Sequence, residues 1–445
     1  MDLVAAILGT FILLIFSVIR GYFIGFPLLI TLGIFLITLQ RRGFALKDLV
    51  QMGWRGCGKS AGVIVILLLV GVVTAAWIAA GTVPAIVYYG VQIIQPRYFV
   101  VSAFLLTCFV SLLLGTSFGT VGTVGTALMV MARSSGVNVN LAAGAIIAGA
   151  YFGDRCSPMS SSAHLIATLT NTKIYRNIKS IWWTGLIPLG LATGIYLLWS
   201  RASPVATTQQ NITAQIAETF TINPLVMAPA VVIFGLAIAQ VPVKISMLLS
   251  LSTAIICSLL YQPYSLLENL QFLVWGFSLE PTNSLSTIVK GGGLIPMMNI
   301  VIVVIISTAL AGIFNETQIL APVKNWLLGI KNSSQLFLAT IFLSILSSAF
   351  GCTQTIGIIM TQQLVEENYA TQESGNYKLA TDLANTVIVI SALIPWNIAC
   401  LVPAKILLVD ANFIPYAAYL YLLPLVNLVY YWLNDKFILN SRRCN

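Results

Sequence analysis

Apolar and polar stretches alternate along the chain with the length of membrane spans. Apolar segments run at about 3–19, 22–40, 60–80, 98–114, 117–132, 140–170 and 182–199. After a polar segment at 201–223 they resume at about 225–241, 243–261, 292–314, 334–350, 352–365, 383–410 and 413–433. A helix needs roughly 20 apolar residues to cross a hydrocarbon core. The pattern therefore predicts an all-α polytopic membrane protein with roughly ten to thirteen crossings or re-entrant segments. Composition agrees, since 58% of the 445 residues are hydrophobic and 8% charged, where soluble chains carry about a quarter charged. Leu3–Ile19 has no basic region ahead of it and no small-residue cleavage site, so it is expected to be a retained first span.

The spacing repeats. Each set of segments has two adjacent spans, a loop, a long span, an interrupted region and a closing span. Ser117-Phe118-Gly119-Thr120-Val121-Gly122-Thr123 aligns with Ala349-Phe350-Gly351-Cys352-Thr353-Gln354-Thr355, sharing Phe, Gly and the last Thr. Charge sets the relative orientation of the copies. Loop 41–59 holds Arg41, Arg42, Lys47, Arg55 and Lys59, whereas 262–291 holds Lys290 with Glu268 and Glu280. The turn 171–181 holds Lys173, Arg176 and Lys179, against Lys405 and Asp410 in 403–412. The tail holds Lys436, Arg442 and Arg443, against Arg201 and Glu218 in the linker. Basic loops stay cytoplasmic. The expectation is two inverted-topology repeats, 1–200 and 224–445, joined by a polar extracytoplasmic linker at 201–223, with both termini cytoplasmic and discontinuous helices meeting near the bilayer midplane. On the same basis Arg133 is expected to end a half-helix near the cytoplasm. Glu366, Glu367 and Glu373 are expected in an external acidic loop, and Glu316, Lys324 and Lys331 in a cytoplasmic connection.

The net charge of +9 follows from these loops and does not indicate nucleic acid. Seven cysteines, at 57, 108, 156, 257, 352, 400 and 444, lack CxxC spacing, so neither a zinc site nor a disulfide framework is expected. Chemistry concentrates in Gly149-Ala150-Tyr151-Phe152-Gly153-Asp154-Arg155-Cys156-Ser157-Pro158-Met159-Ser160-Ser161-Ser162-Ala163-His164, which lies between apolar runs and holds the single histidine. Ionisable groups at that depth mark ion or substrate paths, and a helix break there must line a cavity or be buried in protein. The run Gly115–Thr126 places Gly115, Gly119 and Gly122 on one helical face. Close helix packing accounts for the glycines, while the threonine hydroxyls and freed carbonyls offer neutral oxygens to a small cation. The second half supplies Thr353 and Gln354, then Asp382-Leu383-Ala384-Asn385-Thr386, then a break at Pro395 before Asn397. Interhelical hydrogen bonding is the plain alternative for those asparagines. His164 is expected to be a polar helix-lining residue or pH-sensitive contact rather than a ligand.

Three motifs together resemble the NhaC-type Na+/H+ antiporters of the ion-transporter superfamily: GTSFGTVGTVG at 115–125, GAYFGDRCSPMSS at 149–161 and SALIPWN at 391–397. The resemblance implies cation binding near Asp154, Ser157 and Ser160, with Thr116, Thr120 and Thr123 opposite and Asn385, Thr386 and Asn397 contributing. It also implies that some relatives move dicarboxylates or amino acids coupled to Na+ or protons. Departures accompany it: the family reads SPxSDT where Ser161 and Ser162 stand, and an adjacent Glu-Asp pair where Ala384 and Asn385 stand. Asp154 remains.

The function expected is secondary active transport by alternating access, exchanging Na+ for H+. One carboxylate, Asp154, binds either ion but not both, so it is the expected Na+ ligand. Thr116, Thr120, Thr123, Ser157, Ser160, Thr353, Gln354, Asn385, Thr386 and Asn397 are the expected surroundings. Arg155 either pairs with Asp154, making the pair structural, or turns elsewhere and leaves Asp154 free; adjacency leaves both open. The alternative is Na+- or H+-coupled transport of a small organic anion or amino acid, with Arg155 and the helix start after Pro158 holding a carboxylate. A third reading is an intramembrane serine hydrolase, since Gly115-Thr116-Ser117-Phe118-Gly119 matches GxSxG and His164 is a candidate base. The strand–turn–helix setting of that motif is missing from so apolar a chain, and Ala349 stands at the repeat position. A transporter rather than an enzyme is therefore expected, in the inner membrane. Its partners are Na+, protons and lipid, with an organic solute and a second copy of the chain as further candidates, and no cofactor.

Overall fold

The computed structural model describes residues 2–202, 209–280, 283, 285–286, 288–317, 330, 332–370 and 375–443. The first half runs α1 (Asp2–Ile19), α2 (Gly25–Gln40), α3 (Leu46–Lys59), α4 (Ala61–Ala79), α5 (Thr82–Ile93) and α6 (Phe99–Leu114). It continues through α7 (Ser117–Thr120), a π-helical turn at Val121–Gly125, α8 (Thr126–Ser134), α9 (Val139–Cys156), α10 (Ser161–Leu169) and α11 (Ile174–Ala202). A helix in the linker, α12 (Gln209–Thr219), precedes α13 (Ala228–Ile238), α14 (Val243–Tyr261), α15 (Leu266–Trp275) and α16 (Leu294–Thr317). Then come α17 (Ser333–Gly351), α18 (Gln354–Ala370), α19 (Gly375–Ser391), α20 (Ile398–Ile406) and α21 (Ala418–Arg443). Among the described residues, strand is confined to Phe277–Ser278 paired with Lys290–Gly291. The chain is an all-α polytopic membrane protein. Five of the described helices are long and apolar enough to cross a membrane singly: α4, α11, α14, α16 and α17. Large apolar side chains such as Trp183, Ile187, Leu198 and Leu260 face outward, as a lipid-facing surface requires.

Among the described residues, the two halves share several kinds of element. In each, a helix ends on a residue in the left-handed region, Gly115 (φ 64°) or Cys352 (φ 49°), and the next helix turns back against it. A further pair of segments follows, broken at Ser157–Ser160 or Ala392–Asn397, and a long helix closes the unit. Two pairs of helices pack antiparallel. Between α4 and α16, the Gly293 N–H donates to the Gly71 carbonyl at 2.7 Å, and Thr308 donates to the Ser60 hydroxyl at 3.2 Å. Between α11 and α21, Tyr196 donates to the Tyr416 carbonyl at 3.0 Å and Asn427 to the Thr184 carbonyl at 3.3 Å.

The two hairpin tips end on the breaks of their own half. A Cβ on Gly115 would sit 2.6 Å from Met159, so only glycine lets the first tip reach that break. In the second half the Ile398 N–H bonds the Cys352 carbonyl at 2.9 Å, Asn397 donates to the Ser348 carbonyl at 2.8 Å and Trp396 to the Ala349 carbonyl at 2.9 Å. Breaks at this depth are thus buried in protein and their backbone groups are satisfied.

Two pairs of segments expected on opposite sides lie together. Arg133 donates to the carbonyls of Leu407 and Leu408 at 2.6 and 3.2 Å, so it belongs with 403–412 and not with the basic loops. The end of α18 lies beside the start of α19, where Lys378 donates to Ser333 at 2.7 Å, and Ser334 donates to Asp435 at 2.6 Å. Glu366 and Glu367 therefore lie at the end of the molecule that holds the C-terminal segment, not opposite it. Both differences have one cause: a hairpin that returns reads, in hydropathy, like a pair of crossings. Lys324, Lys331 and Glu373 lie outside the described residues.

Candidate functional site

Asp154 occupies the last turn of α9. Asn138 starts that helix by accepting from the N–H groups of Asn140 and Leu141 at 3.0 and 3.2 Å. The helix stops after Cys156, where Ser157 is extended (ψ 136°) ahead of Pro158. Small residues hold α9 against α6: Cβ atoms on Gly149 or Gly153 would strike the α6 backbone, and Ser111 donates to the Ala150 carbonyl. The chain restarts as α10 with Ser160 as its N-cap, accepting from Ser162 and Ala163 at 3.2 Å. The sequence thus places a carboxylate at the end of one half-helix and a capping serine at the start of the next.

Only 5% of Asp154 is exposed. Ser160 donates to its Oδ1 at 3.0 Å and to its main-chain carbonyl at 2.5 Å. Gln354, the first residue of α18, donates to Oδ2 at 3.0 Å and to the Ser162 hydroxyl at 2.8 Å. Ser162 approaches the carboxylate at 3.4 and 3.5 Å, and Ser117, opening α7, lies beside it. Both halves therefore contribute, and every neighbour that reaches the carboxylate is neutral. A buried charge needs such donors or a counter-ion.

Arg155 turns the other way. It is fully buried, and its Nη1 donates to Asn385 Oδ1 at 2.5 Å and to the Ile181 carbonyl at 3.2 Å. Its guanidinium lies 6.0 Å from the centre of the Tyr419 ring. Among the described residues it has no ion-pair partner. Its guanidinium faces the Tyr419 hydroxyl and the Cys156 thiol, although Nε and Nη2 meet neither at full hydrogen-bond geometry.

The remaining expected residues make the following contacts. Ser157 donates to the Leu112 carbonyl at 2.7 Å and caps Met159 N–H at 3.1 Å. Thr116 caps α7, and Thr120 and Thr123 donate back to their own helix at 2.7 Å, through the carbonyls of Thr116 and Gly119. Thr353 accepts from the Ile356 N–H at 3.2 Å, and Asn397 accepts from the Ala399 N–H at 2.9 Å. Thr386 accepts from Ser344 at 3.0 Å. Asn385 joins Arg155 rather than Asp154. His164 Nε2 meets the Pro158 carbonyl at 2.9 Å, and no hydrogen bond among the described residues links it to Ser117.

The sequence patterns assign no role to a second buried carboxylate. Asp382 on α19 accepts from the hydroxyls of Tyr369 and Tyr431, each at 2.8 Å. Lys378 lies one turn away, 4.8 Å from the Tyr431 ring centre. Its signal was an acid within a long apolar stretch, but its partners come from positions 13 and 49 residues distant, which no local pattern exposes.

Comparison with known proteins fits this arrangement. The family model described as the Na+/H+ antiporter family matches residues 2–200 and 149–434. The chain is 28% identical over 382 residues to the Na(+)/H(+) antiporter NhaC of Alkalihalophilus pseudofirmus, covering 83% of this chain and 81% of that protein. It is 25% identical over 399 residues to the Malate-2H(+)/Na(+)-lactate antiporter of Bacillus subtilis, covering 88% and 85%. It is 26% identical over 344 residues to the Arginine/ornithine antiporter ArcD of Halobacterium salinarum, covering 76% and 71%. A multi-pass helical chain with a buried carboxylate at paired helix breaks, matched along nearly all its length, belongs to the Na+/H+ antiporter family.

Proposed function

We propose that this secondary antiporter exchanges Na+ for H+ at Asp154, by alternating access between two inverted halves in the inner membrane, with both termini cytoplasmic. The observation that carries the reading is the wholly neutral surroundings of the Asp154 carboxylate, with Arg155 directed away from it. An ion pair there would occupy the site permanently. Hydroxyls instead suit both states: they donate to a bare carboxylate and present lone pairs to a bound cation. The Gln354 amide does the same by rotating, offering Oε1 in place of Nε2. A protonated carboxyl needs no cation, so one ion excludes the other. The antiparallel packing of α4 with α16 and of α11 with α21 supports the inverted arrangement, which places such sites at the repeat interface.

A second reading, coupled transport of a small organic carboxylate, is favoured by one observation. Arg155 is a buried cation with no carboxylate partner among the described residues, and its guanidinium faces the Tyr419 hydroxyl. The Malate-2H(+)/Na(+)-lactate antiporter is among the similar proteins. Flux through proteoliposomes separates the two. A Na+ pulse moves protons with no organic solute present under the first reading. Silence in that assay, with uptake of a labelled dicarboxylic or amino acid, replaces it by the second.

A further inference from the structure

A cavity of about 50 Å³ lies between α3, the start of α4, the last turns of α16 and the first turn of α18. One water needs roughly 10–15 Å³ of such space, so the cavity takes a few waters or a partly hydrated ion. Its polar lining comprises Ser60, Thr308, Asn315, Thr353 and Thr355. The Asn315 Oδ1 is buried and accepts no hydrogen bond. Thr308 spends its proton on the Val304 carbonyl at 2.7 Å or the Ser60 hydroxyl at 3.2 Å, leaving oxygen lone pairs. Thr353 and Thr355 flank Gln354, whose amide touches Asp154. The space is not a packing fault between α3 and α16, because Gly56 and Gly312 bring those helices into direct backbone contact. Glu316, next in the chain to Asn315, is held by Arg55 at 3.3 Å.

We propose that this cavity is a second, neutral cation station on the route between the α3 face and the Asp154 carboxylate, and that it takes partly hydrated monovalent cations. The proposal rests on the reading of Asp154 as the exchanging carboxylate. Neutral oxygens suit a staging site, since an ion must be attracted strongly enough to enter yet be free to move on. The basic residues of loop 41–59 put the α3 face on the cytoplasmic side under the positive-inside rule, and Thr355, which lines the cavity, is exposed.

The test uses Thr355→Cys in a full chain with Cys57→Ser and Cys444→Ser, the other cysteines being buried. A membrane-impermeant cationic thiosulfonate is expected to label it in inside-out vesicles and not in right-side-out ones, and Na+ is expected to slow the labelling. In transport, Asn315→Leu is expected to raise the Na+ concentration for half-maximal exchange about fivefold, the loss of one net polar contact, with the maximal rate kept. Asn315→Asp, which keeps the oxygen, is expected to restore or exceed wild-type Na+ affinity and guards against a folding defect. Labelling only from the opposite face, no labelling, or labelling indifferent to Na+ overturns the proposal. Failure of the Asp154 reading has a different signature: Asp154→Asn would keep coupled flux while labelling at position 355 stayed as described.

Discussion

The position of Asp154 depends on how closely α9 lies against α6, and a glycine-to-alanine pair measures that dependence. A Cβ added at Gly149 would sit 2.6 Å from the Phe104 carbonyl oxygen and 2.9 Å from Thr107 Cβ, where ordinary contact begins at 3.4 Å. At Gly153 it would overlap the backbone of Ser111 and Leu112. Relief requires the helices to part by about 1 Å, and overpacking of that kind costs about 1–3 kcal/mol. Better helix propensity returns at most about 1 kcal/mol, so Gly153→Ala is expected to be destabilising on balance, and Gly149→Ala less so. Gly190→Ala on α11 is the control, because nothing lies within 4 Å of its added Cβ. Parting α6 from α9 also pulls the Leu112 carbonyl away from Ser157, and with it the Ser160 cap on which the carboxylate rests. Fluorescence-detected size-exclusion after a temperature ramp should therefore rank Gly190→Ala at or above wild type, then Gly149→Ala, then Gly153→Ala. Na+-driven proton flux per folded molecule should fall at least tenfold in Gly153→Ala. A Gly153→Ala protein with wild-type melting and flux would refute the claim that close α6–α9 packing places the site.

Other expectations follow from the same contacts. Ser162→Ala and Gln354→Leu should each raise the Na+ concentration for half-maximal exchange about tenfold, near the value of a hydrogen bond to a charged group. The double variant should fall short of additivity, because the two side chains bond each other at 2.8 Å. Arg155→Met should leave Na+/H+ exchange in place and melting close to wild type: the charge-assisted bond to Asn385, about 1.5–3 kcal/mol, is offset by removal of an unpaired buried charge. Loss of exchange in that variant would show that Arg155 serves the cation step. Ser265→Ala should loosen the first turn of α15 by about 1 kcal/mol, since Ser265 and Glu268 form a capping box. The Ser265 hydroxyl and N–H hold the Glu268 carboxyl below its ordinary range. That contribution is present above the ordinary carboxylate range and is lost as pH falls through the lowered value. Hydrogen exchange at the start of α15, corrected for intrinsic rate, should show it.

Much of the frame was legible because it is written in local chemistry. Pro158 and Pro395 mark the breaks, Ser160 and Asn397 cap the helices that restart after them, and the recurrence of element order is visible in segment lengths alone. The hairpins were not legible, because an apolar helix that returns and one that crosses have the same composition. This is why Arg133 was expected opposite 403–412, and Glu366 opposite the C-terminal segment. The threonines at 120 and 123 donate to their own helix carbonyls one turn back, a contact that sequence spacing does not reveal and that leaves only their oxygen lone pairs for an ion. The direction of Arg155 was hidden for a related reason. Neighbouring helical residues point about 100° apart, but which of them faces the cavity depends on the rotation of α9, fixed by glycine contacts with α6. The reach of Gln354 to Asp154, spanning 200 residues, became visible only when the two halves came together.

The account depends on Asp154 being the group that holds Na+ or a proton in turn. The most direct measurement is coupled flux in proteoliposomes for wild type beside Asp154→Asn, with Na+, Li+ and K+ gradients over a range of pH. The variant should reconstitute and melt normally, because asparagine Oδ1 still accepts from Ser160 and its NH2 donates to Gln354 Oε1 once that amide rotates, while proton movement in response to Na+ disappears. Undiminished Na+-driven proton flux in Asp154→Asn would contradict the account at its centre.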